Sequence, residues 1–129
     1  MLTIGIKGSA DLLVTERLTA KEVGSGTVAV LATPMMIALM ENAALNTVKP
    51  FLAEGEATVG TEISVTHDVP TPIGETVTAE AELIAVDRRK LQFQVQARVG
   101  DEIIGKGTHT RFIINEERFL QKALAKKQQ

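Results

Sequence analysis

The stretch "VLATPMMIALMENAALNTV", Val30–Val48, is apolar over most of its length and carries one carboxylate, Glu41, in its middle. Thr33 stands before Pro34, a pair typical of a helix start, because a hydroxyl can cap free N–H groups and proline suits the first helical position. No Gly or Pro follows until Pro50. The sequence therefore predicts one long helix, apolar around most of its circumference and surrounded by protein.

After this helix the chain changes to alternating apolar and polar residues, the period of β-strands. In "KLQFQVQARV", residues 90–99, the alternation predicts one face against an apolar layer and one against water. Turn-forming residues separate the segments. We expect an earlier strand and then four consecutive antiparallel neighbours, at Ala10–Ala20, Ala57–Val69, Glu75–Asp87, Lys90–Gly100 and Glu102–Asn115.

Together these elements predict an α+β fold of the hot-dog type, in which an antiparallel sheet wraps a long central helix. A chain of 129 residues is long enough for one core but too short for two independent domains. We therefore expect a single domain over 1–129, with a core of about 10–119. A C-terminal helix at about 116–127 has an apolar side that should dock on the rest.

Composition excludes several classes of function. The formal charge of -2 and the scarcity of aromatic residues argue against a nucleic-acid partner. The absence of cysteine excludes disulfides, thiolate metal sites and cysteine nucleophiles. Glu41 and Asn42 interrupt the longest apolar run, so we expect no membrane span. The N-terminus lacks the pattern of a signal peptide, and a cytoplasmic location is expected.

Three motifs carry a resemblance to a known family: "ATPMMIALMENAA" at 32–44, "GTEISVTHDVPTPIGETVTAEAEL" at 60–83 and "IGKGTHTRFII" at 104–114. Over about Ala10–Phe119 the chain resembles hot-dog proteins of the fluoroacetyl-CoA thioesterase type. The resemblance implies hydrolysis of an acyl-CoA thioester to a carboxylic acid and free CoA, with no metal and no cofactor beyond the CoA of the substrate. It also implies at least a homodimer, since hot-dog domains commonly pair edge to edge with active sites at the interface.

Carried over residue by residue, the resemblance implies a catalytic group of Thr33, Glu41 and His67, with Gly60 in the substrate site. In that family's fluoroacetyl-specific member, phenylalanines of a hydrophobic lid precede the catalytic threonine. The matching segment here, "VGSGTVAV" at 23–30, has Gly24 and Thr27 instead. We therefore expect hydrolysis of some acyl-CoA without selectivity for the fluorinated acyl group.

The residues also make chemical sense without the resemblance. A thioester enzyme needs a group that polarises the carbonyl, a base or nucleophile, and a group that manages protons. The free N–H groups of Met35 or Met36 at the helix N-terminus suit the first role, Glu41 the second and His67 the third. Thr33 would orient the histidine or the substrate. Thr33 and Glu41 lie eight residues apart, or roughly 12 Å along a helix, so something must lie between them.

Other interpretations stay open at this stage. Thr33 can be only a helix cap, Glu41 only a solvated or structurally paired carboxylate, and His67 a strand histidine with a satisfied hydrogen bond. Met35 and Met36 suit either a core or an acyl pocket. His109, the other histidine, is interpreted as structural. Among functions, a non-catalytic acyl-CoA sensor and, with less support, an acyl-CoA hydratase remain alternatives.

Overall fold

The computed structural model describes residues 1–128, which fold as one curled sheet around one long helix. In chain order, the strands and α-helices are β1 (Lys7–Leu13), α1 (Ala20–Val23), α2 (Thr33–Val48), β2 (Glu56–Val65), β3 (Thr76–Asp87), β4 (Lys90–Val99), β5 (Glu102–Asn115) and α3 (Glu116–Ala125). The five strands are antiparallel and lie in the order β1-β3-β4-β5-β2. The predicted α+β hot-dog arrangement is confirmed.

The core lies between α2 and the inner face of the sheet. Met36, Met40 and Ala44 of the helix are fully buried, as are Leu83 and Phe93 of the strands. Along β4 the apolar residues are buried and alternate with more exposed glutamines, as the sequence predicted. Burial of each large apolar side chain stabilises the fold by about 1.5–3 kcal/mol. The same contacts fix where α2 begins and ends over the sheet.

The position of β2 corrects one prediction. β2 does not neighbour β3; it pairs with β5 and forms an edge of the sheet. Tight turns at Arg88 and Gly100, both with positive φ, join β3 to β4 and β4 to β5 as hairpins. The connection 66–75 from β2 to β3 is longer and contains Pro70 and Pro72, which cannot donate ladder hydrogen bonds. This connection therefore crosses over instead of closing a fourth hairpin.

The first strand is also shifted from its predicted place at Ala10–Ala20. β1 ends at Leu13, and Glu16–Leu18 form a 3-10 turn that leads into α1. The Thr19 hydroxyl donates to the Glu16 carbonyl and accepts from the Glu22 N–H. Such local bonds between side chain and backbone compete with strand pairing, which explains why the apolar pattern did not continue as a strand.

Two helices are less enclosed than predicted. Within the chain α2 is not surrounded, because Pro34, Ala38, Asn42 and Asn46 form an exposed stripe along it. One curled sheet covers only one side of a helix, and residues at this spacing point away from it. Helix α3 forms at the predicted place, but every one of its residues is exposed, so it does not dock on its own chain.

The limits of the domain stay a prediction. The expected domain 1–129 includes Gln129, which lies outside the described residues. In residues 1–128 no helix is long and apolar enough to cross a membrane.

Candidate active site

The start of α2 places a threonine beside a histidine. The Thr33 hydroxyl oxygen and His67 Nδ1 share a hydrogen bond of 2.7 Å. His67 follows the end of β2 instead of lying within a strand, since β2 ends at Val65. Its backbone neighbours still bond to β5, through the Thr66 and Asp68 N–H groups. The structure thus brings the two predicted residues into contact, but the histidine follows a strand that ends two residues earlier instead of lying within it.

The other ring nitrogen of His67, Nε2, is buried. It is inaccessible to solvent and has no hydrogen-bond partner within residues 1–128. A buried polar atom without a partner is costly, so this nitrogen is a candidate for a functional role. Burial lowers the pKa of His67 below its usual 6.5, and the Asp68 carboxylate opposes this only in part. The imidazole is therefore neutral near pH 7.

The first turn of α2 differs from the prediction in two ways. The residue preceding the helix is Ala32, and Thr33 makes no cap, because its hydroxyl bonds to His67. The N–H groups of Met35 and Met36, expected to be free donors, both donate to the Ala32 carbonyl, at 3.0 and 3.2 Å. These bonds belong to the first turn of the helix. Neither N–H group can donate to a substrate oxygen unless it first breaks its bond to the Ala32 carbonyl.

Glu41 lies two turns further along α2, and its side chain is 41% exposed. One carboxylate oxygen, Oε2, is 3.8 Å from Nη1 of Arg111, whose side chain is only 9% exposed. This is a salt bridge by distance but too long for a hydrogen bond. Glu41 thus has a partly solvated carboxylate opposite a buried cation. This geometry excludes a tight structural pair, and it fits a solvated carboxylate as well as a site residue.

Arg111 belongs to a buried polar cluster with Thr58 and His109, called here the Arg111 cluster. Arg111 donates from Nε to the Thr58 hydroxyl and from Nη2 to the Thr58 carbonyl, both at 2.9 Å. Its Nη1 lies 3.2 Å from His109 Nε2. Burial lowers the pKa of Arg111, and the Glu41 carboxylate opposes that shift. Three fixed contacts therefore hold the guanidinium in one orientation.

Gly60 lets these groups approach the backbone of β2 closely. A Cβ atom at Gly60 would lie 2.8 Å from Glu41 Oε2, 3.0 Å from His109 Cε1 and 3.3 Å from Arg111 Nη1. A larger residue would displace the carboxylate, so glycine permits this arrangement. The predicted site residue Gly60 thus lies against Glu41, and β2 carries it at the edge of the sheet.

The two predicted methionines lie in different surroundings. Met36 is fully buried, and its sulfur lies against Gly105 of β5, so it belongs to the core. Met35 is partly buried and packs against the same core. Only Met35 is therefore accessible enough to line a pocket.

The predicted site residues form two groups in one chain. Thr33 and His67 are in contact, and Glu41 and Gly60 are in contact, but the helix separates the first pair from the second. The sequence interpretation missed Arg111 and Thr58. The available signal was the spacing of His109 and Arg111 in "THTR", because residues two apart in a strand share a face.

A groove of about 990 Å³ lies elsewhere, across all five strands. Polar side chains such as Glu80, Glu82 and Gln94 line much of it, and Thr33, Glu41 and His67 are not among its lining residues. Size therefore does not identify the site; the buried unpartnered histidine nitrogen and the carboxylate opposite a buried guanidinium are the stronger indications.

Comparison with known proteins gives a consistent result. Residues 14–117 match the family model described as fluoroacetyl-CoA-specific thioesterase. The fluoroacetyl-CoA thioesterase of Streptantibioticus cattleyicolor is 45% identical over 97 residues, which cover 75% of this chain and 70% of that protein.

Solved structures agree with the sequence comparisons. A structure of a fluoroacetyl-CoA thioesterase is 36% identical, covers 98% of both chains and superimposes with a TM-score of 0.92. A variant of that enzyme in complex with acetyl-CoA has the same identity and TM-score, covering 97% of this chain and 98% of the other. A thioesterase superfamily member from Thermus thermophilus is 25% identical over 97% of this chain and 94% of its own, with a TM-score of 0.87.

The two histidines predict how stability depends on pH. Burial lowers the pKa of both His67 and His109 in the folded state, while in the unfolded chain they titrate near 6.5. As pH falls below about 6.5, the unfolded state binds protons that the folded state still excludes, so the free energy of unfolding decreases. Urea denaturation at pH 7.5, 6.5 and 5.5 should show this loss.

The double variant His67→Gln, His109→Gln is the control, and its free energy of unfolding should change little over that pH range. A wild type equally stable at all three pH values would contradict the prediction.

Proposed function

The chain belongs to the fluoroacetyl-CoA-specific thioesterase family and is an acyl-CoA thioesterase, and we propose that Thr33, Glu41 and His67 carry out the hydrolysis. The observation that carries this proposal is the 2.7 Å bond between Thr33 and His67, together with the buried, unpartnered Nε2 on the far side of the ring. A histidine oriented through one nitrogen and unoccupied at the other has the arrangement of a proton carrier.

Glu41 is proposed as the base that activates water. Its carboxylate is partly solvated, so water can reach it, and the buried Arg111 guanidinium lies 3.8 Å away as an opposite charge. Gly60 lies directly against the carboxylate, and Met35 is the candidate to line the acyl pocket. The dipole of α2 favours the negative charge that develops on the thioester oxygen near its N-terminus.

The reaction balances with these groups, water and the CoA thioester, and it uses no cofactor. Glu41 takes a proton from water, and the resulting hydroxide adds to the carbonyl carbon. When the tetrahedral intermediate collapses, the carbon–sulfur bond breaks and the electron pair leaves with the CoA sulfur. The proton passes from Glu41 to Nε2 of His67 and then to that sulfur. Thr33 fixes the ring so that Nε2 points at the reacting atoms.

A homodimer is proposed because one chain leaves the site open. β2 pairs on one side with β5, and its other side is the edge of the sheet within residues 1–128. An edge strand presents unpaired N–H and C=O groups that a second copy can bind. The exposed stripe of α2, from Pro34 to Asn46, is a second surface of the chain that is left uncovered, and we propose that it belongs to the same interface as the edge of β2. Strand β2 also carries Gly60, so the substrate would lie at this contact.

Such a dimer would join the two groups of site residues. A twofold axis near Ile37, halfway between Thr33 and Glu41, would place two antiparallel α2 helices side by side. Thr33 and His67 of one chain would then face Glu41 of the partner subunit. Within one helix Thr33 and Glu41 lie roughly 12 Å apart and cannot touch. The partner subunit would bring a second Glu41 close to Thr33 and His67. The cytoplasmic location and the acyl-CoA as sole small-molecule partner remain parts of the proposal.

Site variants test the catalytic assignment. Glu41→Gln and His67→Ala should each lower kcat about 100- to 10,000-fold, because each removes a proton-transfer group. Thr33→Val should be impaired, whereas Thr33→Ser keeps the hydroxyl and should retain much of the activity. Free thiol release from a panel of acyl-CoAs provides the measurement, since the chain has no cysteine of its own.

Glu54→Gln, an exposed carboxylate in the loop before β2, is the matched control and should be unchanged. Near wild-type rates for the folded Glu41→Gln variant would refute the assignment of the base. Tight acyl-CoA binding by the wild type without turnover would instead favour the sensor, and water addition to an enoyl-CoA would favour the hydratase.

Mixed dimers test whether the site is shared. In a purified dimer of one Glu41→Gln chain and one His67→Ala chain, a shared arrangement leaves one of the two sites fully wild type. We expect about half of the wild-type rate from this mixture of two inactive chains. Two differently tagged chains, co-expressed and purified through both tags, provide the sample. Activity no higher than that of either single variant would show that each site is built from one chain.

The segment before α2 predicts the substrate preference. Residues 21–29 are exposed and carry Gly24 and Thr27, where the family resemblance implies the phenylalanines of a lid. The two thioesters differ in intrinsic reactivity, and the ratio of their rates of hydrolysis by hydroxide gives the reference. We expect the ratio of kcat/KM for fluoroacetyl-CoA to that for acetyl-CoA to lie within about tenfold of this reference. Thr27→Phe should raise the ratio and Thr27→Ser should not. A wild-type ratio several orders of magnitude higher would contradict the prediction.

A further inference from the structure

His109 is a buried histidine that the proposed reaction does not use. It lies in β5 opposite Phe93 of β4 and Ile63 of β2, and it is 2% exposed. Its ring is tilted against the Phe93 ring, with centroids 6.2 Å apart. A histidine enclosed in this way by apolar neighbours would be a poor choice for packing alone, because both ring nitrogens must find partners.

Its two hydrogen bonds fix the state of the ring. Nδ1 lies 2.8 Å from the Glu62 carbonyl oxygen, which can only accept, so Nδ1 carries a proton. Nε2 lies 3.2 Å from Arg111 Nη1, which can only donate, so Nε2 must be unprotonated. The contacts on both sides therefore require the neutral Nδ1–H tautomer. A second proton would place an N–H against the guanidinium and break the contact.

Burial and the nearest positive charge favour the same neutral state of the ring. Burial lowers the pKa of His109, and the Arg111 charge in the same strand lowers it further, which outweighs the Glu41 carboxylate of α2 and the Glu62 carbonyl of β2. The ring thus remains a hydrogen-bond acceptor near neutral pH. It accepts from the one nitrogen of Arg111 that faces Glu41, since Nε and Nη2 both bond to Thr58.

We propose that His109 is a positioning residue: its unprotonated Nε2 holds Nη1 of Arg111 beside Gly60, and through Arg111 it sets the orientation of the Glu41 carboxylate. The proposal rests on the assignment of Glu41 as the base. Without the Nε2 acceptor, nothing on the His109 side holds the guanidinium, and the whole group can shift on its Thr58 contacts until Nη1 makes a direct hydrogen bond to Glu41. A carboxylate held in such a charge-assisted hydrogen bond is displaced from the water it must activate.

Two amide variants separate the two ring nitrogens. In His109→Asn the short side chain reaches the place of Nδ1 and can still donate to the Glu62 carbonyl, but it ends before Arg111. In His109→Gln the amide oxygen reaches the place of Nε2 and can accept from Nη1. We expect His109→Asn to lose about 10- to 100-fold in kcat with little change in KM, and His109→Gln to recover most of that loss.

A double-mutant cycle with Glu41 completes the test. If His109 acts through the carboxylate, His109→Asn should have little further effect on the residual rate of Glu41→Gln. Thermal denaturation of each variant verifies that it is folded, and ¹⁵N chemical shifts of labelled histidine in the wild type report the tautomer even if a variant fails to fold.

Full kcat in folded His109→Asn, equal losses in the Asn and Gln variants, or a ring protonated at Nε2 in the wild type would overturn the proposal. An unchanged rate in Glu41→Gln alone is a different result, because it would refute the role of Glu41 instead of the role of His109.

Discussion

The structure depends on the burial of one helix by one sheet. α2 has its fully apolar side against the inner face of the strands, and that contact contributes most of the large buried side chains. Because a single sheet covers only one side, the opposite stripe of α2 stays exposed. The site uses both sides of this arrangement: the buried side fixes the helix in position, while Thr33 and Glu41 lie where it is incompletely covered.

The sequence predicted the elements that have a strong local pattern. α2 and β3–β5 were placed within a residue or two, because the apolar periods of helix and strand are long and unbroken there. The place of β2 in the sheet was wrong, since periodicity gives the existence of a strand and not its partner. The early end of β1 was missed because the hydrogen bonds of Thr19 are local details that no apolar pattern reveals.

For the site, the residues alone left structural interpretations open, and the resemblance to the family assigned roles to Thr33, Glu41 and His67. Thr33 looks like a helix cap in sequence, and only the fold brings His67 within 2.7 Å of its hydroxyl. The carboxylate in an apolar helix singled out Glu41, but the cation opposite it, Arg111, comes from a strand seventy residues away and could not be identified by spacing along the helix. Long-range pairs of this kind are determined by strand register, which depends on the whole sheet.

The pairing of β2 with β5 also has a consequence for the order in which the protein acquires activity. β3, β4 and β5 follow one another through tight turns and can form from local contacts, whereas β2 must close a loop as long as that from Glu56 to Asn115. Contacts between residues distant in the chain form late, because the entropy of loop closure is lost before they stabilise anything. Thr58 and Gly60 arrive only with β2, and His67 follows it directly. A nascent or partly folded chain in which β3, β4 and β5 have paired but β2 has not would therefore lack these parts of the proposed site and would be inactive.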